Sequence, residues 1–121
     1  MADHGFPPSQ RLRRPGEFDA VFKKAQLRVS HQACLALAIP NRLDRRRLGL
    51  VVGKKAAPRA VDRNRLKRLM RESFRQHCLL EGMDVVLVAR PAARDYANPQ
   101  FSDVMCQVWQ ELHEKRQQSI Q

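Results

Sequence analysis

The sequence predicts an α+β fold, a two-layer sandwich with the element order α-β-β-β-α-β-α. Three observations lead there. Apolar residues recur at helical spacing in three separate stretches, four short stretches carry strand signals, and turn residues separate most of them.

The first helix opens at Pro15-Gly16, with Pro tolerated in the first turn and Glu17 and Asp19 near the positive end of the dipole. Phe18, Val21, Phe22 and Ala25 follow the spacing i, i+3, i+4, i+7 and form one face. Residues 26–30 alternate as a short strand does. In residues 33–39, Leu35, Leu37 and Ile39 point one way, and Cys34, Ala36 and Ala38 point the other. Pro40 and Asn41 end that strand, and residues 41–46 make a basic connection. In the third strand, 47–53, Leu48, Leu50 and Val52 share a face opposite Gly49, Val51 and Gly53. The small residues of both strands either line a shallow trough or pack closely against a helix.

A basic helix is expected from about Pro58 to Cys78, with Leu66, Leu69, Met70 and Phe74 as its apolar stripe. Leu79 to Gly82 form its exit. Residues 84–90 are apolar without alternation, as in a strand covered on both faces. Asn98-Pro99 opens a last helix whose inner stripe is Phe101, Val104, Met105, Val108 and Leu112. Residues 1–13, with Pro7-Pro8, read as an extended basic arm. Residues 14–114 read as one domain and 115–121 as a polar tail. No internal repeat interrupts this plan.

A chain of 121 residues suffices for one core without disulfides or metal. Its formal charge is +11, and residues 42–75 hold 13 basic against 3 acidic side chains. A charge needed only for solubility would not be concentrated in one segment, so a polyanionic partner is expected. Cys34, Cys78 and Cys106 are far apart and odd in number, which points to reduced thiols in a cytoplasm. No apolar run nears the roughly 20 residues of a membrane span, and the N-terminus lacks the apolar core of a signal peptide.

No enzyme constellation is visible. His4, His31, His77 and His113 have no metal-ligand partners at usable spacing, no nucleophile elbow or phosphate loop occurs, and the carboxylates do not pair as acid and base. What remains is a binding surface: Lys54, Lys55, Arg59, Arg63, Arg65, Lys67, Arg68, Arg71 and Arg75, with Asn64 between two arginines. Guanidinium forks match phosphate oxygens bidentately, lysine adds a point charge, and Asn64 can reach a ribose or base edge. Phe18 and Phe22, beside Lys23 and Lys24, suit stacking on unpaired bases. The burial habit of phenylalanine supports the other reading, that both are core.

Arg47-Leu-Gly-Leu-Val-Val-Gly-Lys-Lys55, followed by the Arg63-Asn64-Arg65 box within residues 60–75, resembles the protein subunit of bacterial ribonuclease P. Glu17-Phe18 with Val21-Phe22 is similar to that family's first helix, and Asp84 to Arg90 to its last strand. The resemblance covers about residues 10–113. It implies a four-stranded sheet with a left-handed crossover from third to fourth strand, against the usual right-handed rule. It also implies a cytoplasmic ribonucleoprotein that removes the 5′ leader from precursor tRNA. In that family the RNA subunit is the catalyst and holds most of the Mg²⁺. The protein alone binds no cofactor, cleaves nothing, and needs no membrane or obligate protein partner. Carried over by motif, Lys54, Lys55, Arg59, Arg63, Asn64, Arg65, Lys67, Arg68 and Arg71 would face the RNA subunit. Arg11, Phe18, Phe22, Cys34, Ala36 and Arg90 would line a cleft for the leader, with the small face of Cys34, Ala36 and Ala38 as its floor. Some relatives carry an aromatic residue on the second strand, where this chain has only Ala and Cys. The competing reading is a ribosomal-type structural RNA-binding protein, which would share the basic helix but not the cleft. A stand-alone nuclease lacks a candidate base or metal cluster.

Overall fold

The computed structural model describes residues 11–43, 45–77 and 80–120, with side chains as far as 118. The expected elements appear in the expected order: α1 (Pro15–Lys24), β1 (Leu27–Ser30), β2 (Cys34–Pro40), β3 (Arg47–Val51), α2 (Ala60–Gln76), β4 (Met83–Ala89) and α3 (Asn98–Ile120). A short 3-10 helix, Pro91–Asp95, links β4 to α3. The strands form one sheet in the order β1-β2-β4-β3. β1 and β4 run antiparallel to β2, and β3 runs parallel to β4 with α2 as the crossover between them.

The two faces of the sheet carry different layers. Cys34, Ala36, Ala38, Leu48, Val85, Leu87 and Ala89 face the main core. There they meet Leu66, Met70 and Phe74 of α2 and Phe101, Met105, Val108, Trp109 and Leu112 of α3. Trp109 crosses the gap between the two helices. Its ring meets Phe74 edge-on at 5.5 Å and its indole N–H donates to Ser73 Oγ. This satisfies the one polar atom of a large buried side chain. The opposite face carries Leu37 and Val86, with Leu35, Ile39, Val51 and Val88 half-buried, and α1 packs on it through Val21, Phe18 and Ala25.

Gly49 sets how close α1 comes. A Cβ there would lie 2.6 Å from the Phe18 ring, so the bare backbone is what lets α1 sit down on β3. The small rows of β2 and β3 therefore do not make one trough. β4 stands between these strands, and the register puts Cys34, Ala36 and Ala38 on the face away from Gly49.

Most of the expected arm lies outside the described residues, as does Cys78. Within them Arg11 bridges to Leu48, Leu12 N–H donates to Leu48 O at 2.9 Å, and Leu12 is buried against the α1 face. α3 runs on through Ile120, so residues expected as a tail are helical, and Lys115 Nζ donates to Arg28 O at 2.8 Å.

Candidate nucleic-acid interface

α2 has a buried stripe, Leu66, Leu69, Met70, Ser73 and Phe74, facing the sheet and α3. The remaining arc is cationic, and its two edges differ. On one edge Lys67 and Arg71 join Arg11 and Arg13 around a concavity floored by Phe18, Leu48 and Leu50. On the other, Val61, Asp62, Asn64, Arg65 and Arg68 line a second concavity. Lys54, Lys55 and Arg59 are exposed ahead of the helix.

The two arginines of the Arg-Asn-Arg box are engaged within the protein. Arg63 Nη1 donates to Ala57 O at 2.9 Å and Pro58 O at 2.8 Å. Arg65 Nη1 donates to Asn98 Oδ1 at 2.7 Å and Tyr96 O at 3.2 Å, and its Nη2 donates to Arg94 O at 3.3 Å. These bonds use part of each fork and leave the charge in place. Arg63 ties α2 to the loop before it, and Arg65 ties α2 to the start of α3. Asn64, between them, is exposed. Arg46, in the connection expected to be polar and basic, is buried at 7 % exposure. It lies over the Phe74 ring at 4.2 Å and donates to Arg75 O at 3.3 Å and to His77 O, which caps the C-terminal carbonyls of α2 with a cation.

Beside the first concavity lies the half-open apolar face under α1. Phe22 is 45 % exposed there, while Phe18 is half-buried on Gly49. The two phenylalanines thus divide the two alternatives between them: Phe18 packs and Phe22 presents its ring. Arg90 follows Val86 and Val88 along β4 and is fixed by bonds from Nη1 to Ser30 Oγ at 2.9 Å and His31 O at 2.7 Å. Arg28 and Ser30 are exposed and lie opposite Leu37 and Leu35, so they belong to this same face. Sequence reasoning passed over Arg28, although the alternation of Leu27 and Val29 with Arg28 and Ser30 was the available signal.

Cys34 and Ala36 require a correction. Both are fully buried on the opposite side of the sheet, under α2 and α3, and cannot line a cleft beside α1. The half-open face beside α1 is instead lined by Leu35, Ile39, Val51 and Val88, half-buried around the buried Leu37 and Val86. Small side chains are needed where two helices press on the sheet, whereas a cleft floor tolerates large ones. Burial pushes the Cys34 thiol up to about 11, against the smaller opposing influence of Arg90, so it stays protonated at neutral pH.

A polar network at the other end of this face orients α1. Arg47 binds Asp84 through two bonds, Nε to Oδ1 at 2.8 Å and Nη2 to Oδ2 at 2.7 Å, and reaches Glu17 Oε2 with Nη1 at 3.0 Å. Asn41 Nδ2 donates to Asp84 Oδ1 at 2.8 Å. Glu17 Oε1 accepts the backbone N–H groups of Arg13 and Arg14 at 2.9 and 3.1 Å. Glu17 thereby supplies half of a capping box; Arg14 has no acceptor with which to return it. Those two N–H groups, then the Arg47 charge, hold the Glu17 carboxyl below its ordinary value of 4.5. A carboxylate with a depressed folded pKa contributes stability above its unfolded pKa and loses it as pH falls through the folded value. Thermal melting from pH 7 to pH 3 should therefore show wild type losing more stability than Glu17→Gln below about pH 4.5. Parallel curves would refute the role assigned to that carboxylate.

An α+β scaffold that presents a cationic helix arc beside a half-open apolar face with exposed aromatic and arginine side chains defines an RNA-binding protein. The sequence profile of the family described as Ribonuclease P matches residues 6–113, and the chain belongs to that family. It is similar to the ribonuclease P protein component of Pseudomonas savastanoi pv. phaseolicola, 46% identical over 112 residues, which is 92% of this chain and 84% of that protein. It is also similar to that of Pseudomonas putida F1, 44% identical over 117 residues, 96% of this chain and 87% of that one. Among solved structures, a Staphylococcus aureus RNase P protein mutant with defective mRNA degradation activity superposes with a TM-score of 0.79 at 30% identity, covering 84% of this chain and 86% of that one. The Thermotoga maritima RNase P protein does so with 0.72 at 29% identity, covering 86% and 96%. The chain is thus a subunit of an endoribonuclease that works in tRNA processing, and the reading as a ribosomal-type structural protein gives way to it. No described helix is long and apolar enough to cross a membrane.

Proposed function

We propose that this chain docks on the catalytic RNA of ribonuclease P through the exposed arc of α2 with Lys54, Lys55 and Arg59, and holds the 5′ leader of precursor tRNA on the face beside α1. The RNA carries the chemistry, in the cytoplasm, and the isolated protein does not cleave. The observation that supports this most directly is the adjacency of two surfaces. Lys67 and Arg71 on α2 share a concavity with Arg11, Arg13 and Phe18, which leads to Phe22, Arg28 and Arg90. Both surfaces are rich in Lys and Arg, as a strand leaving the catalytic RNA requires.

The protein's part is to bind and orient. Cations neutralise phosphate and release counterions, while Phe22 offers a ring to an unpaired base. The floor of aliphatic side chains makes no base-specific hydrogen bonds, which leaves polar contacts on this face to Arg28, Ser30 and Arg90. Among the described residues no three His, Cys, Asp or Glu side chains form a group able to hold a metal. In this reading the RNA subunit holds the Mg²⁺, as the family resemblance implies. No further protein partner is required.

The test is cleavage of precursor tRNA at low Mg²⁺ and physiological salt by a bacterial ribonuclease P RNA, with and without this protein. Restored 5′ processing, with no cleavage by the protein alone, is the expected result. Binding to the RNA without any change in cleavage would overturn the proposal.

A further inference from the structure

Val61 is 61 % exposed, in the first turn of the most basic helix of the chain. A lone exposed aliphatic side chain is ordinary on a protein surface; what distinguishes Val61 is that it lines a concavity together with amide, carboxylate and guanidinium groups. Val61, Asn64, Arg65 and Arg68 stand at i, i+3, i+4 and i+7, one stripe of α2, and with Asp62 they line a single concavity. Arg65 forms its rigid wall, because three hydrogen bonds hold its guanidinium against Tyr96, Asn98 and Arg94.

We propose that this concavity is a subsite for one unpaired nucleotide of the catalytic RNA. The inference rests on the docking reading above and adds a base-binding element to it. The base lies on Val61, the Asn64 amide meets the base edge, Arg68 takes the flanking phosphate, and Asp62 accepts the ribose 2′-hydroxyl. The surrounding charge selects a polyanion as occupant. The apolar wall selects an exposed base over a duplex backbone, since a paired stack presents no free face. Asp62 disfavours a bare phosphate at the same point. Arg63 and Arg65 then serve mainly to fix α2 and its neighbours, and recognition falls to the residues between and beside them.

The test measures affinity for a bacterial ribonuclease P RNA across a salt series, using full-length wild type, Val61→Ser, Val61→Ile and Arg68→Gln. Val61→Ser should weaken binding about 5-fold, the scale of removing one partly covered aliphatic side chain, with the salt slope unchanged because no counterion is involved. Val61→Ile should retain wild-type affinity. Arg68→Gln should lower the slope by about one. The melting temperature of Val61→Ser should match wild type, given its exposure. Wild-type affinity in Val61→Ser, or a loss that comes with a changed slope, would overturn the subsite while leaving the docking reading intact. Failure of wild type itself to bind that RNA would overturn both.

Discussion

Asp84→Ala should destabilise the protein by about 3 kcal/mol, the lower end of what breaking a buried ion pair costs when one partner stays behind. Asp84 is 5 % exposed and holds Arg47 through two bonds while accepting a third from Asn41. Without it the Arg47 guanidinium, whose side chain is 19% exposed, keeps only Glu17 as a carboxylate partner. The lower end applies because Glu17 and some solvent remain. Equilibrium urea unfolding with the slope held constant measures the loss. A cost below about 1 kcal/mol would mean the pair behaves as a surface salt bridge. The paired change Arg47→Met with Asp84→Leu should recover part of the stability, because two apolar groups leave no orphaned charge.

The same substitution reaches function through α1. Arg47 is the link between sheet and helix: Asp84 belongs to β4, Arg47 to β3 and Glu17 to the first turn of α1. Removing the anchor frees Arg47 to swing with Glu17, and α1 is then held to the sheet by the packing of Phe18, Val21 and Ala25. Leader-dependent affinity should drop even at temperatures where the domain remains folded.

The strands and helices of this chain were legible because most rest on local periodicity and β4 on a short unbroken apolar run, and the elements start and stop near Pro15, Pro40, Pro91 and Pro99 as those residues require. The assignment of faces was not legible. Alternation in β2 separates Leu35, Leu37 and Ile39 from Cys34, Ala36 and Ala38, but both rows are apolar, and only the placement of α1 against α2 and α3 decides which becomes the cleft. β2 and β3 looked like neighbours with matching small rows, yet β4, far along the sequence, inserts between them. The cationic residues divided for the same reason. Arg46, Arg63 and Arg65 look like their neighbours in sequence. Arg46 and Arg65, however, are bound to carbonyls about thirty positions away, and Arg63 turns back on the loop before its own helix. Composition reports the sum of such charges and not which of them face solvent.

That division sets the last expectation. Lys67→Gln, Arg68→Gln and Arg71→Gln together should weaken binding to the catalytic RNA about 100-fold, at about 1 kcal/mol for each phosphate interaction removed. The logarithmic salt slope should fall by about two to three, close to one per phosphate. Stability should hold, because Arg68 is exposed, Lys67 and Arg71 are only half-buried, and a like-charge pair at i, i+4 is relieved. Arg63→Gln with Arg65→Gln should behave differently. Their bonds to Ala57, Pro58, Tyr96 and Arg94 carbonyls and to Asn98 hold the N-terminal part of α2 in place, so losing them should lower the melting temperature as well as the affinity. The first set removes three positive charges and the second two, and a purely electrostatic helix would respond to each in that proportion, with no change in melting temperature. Salt titrations paired with melting curves separate the cases. Equal slope changes per charge removed, with equal melting temperatures for the two variants, would mean that the tethers have no role and that Arg63 and Arg65 are ordinary phosphate ligands.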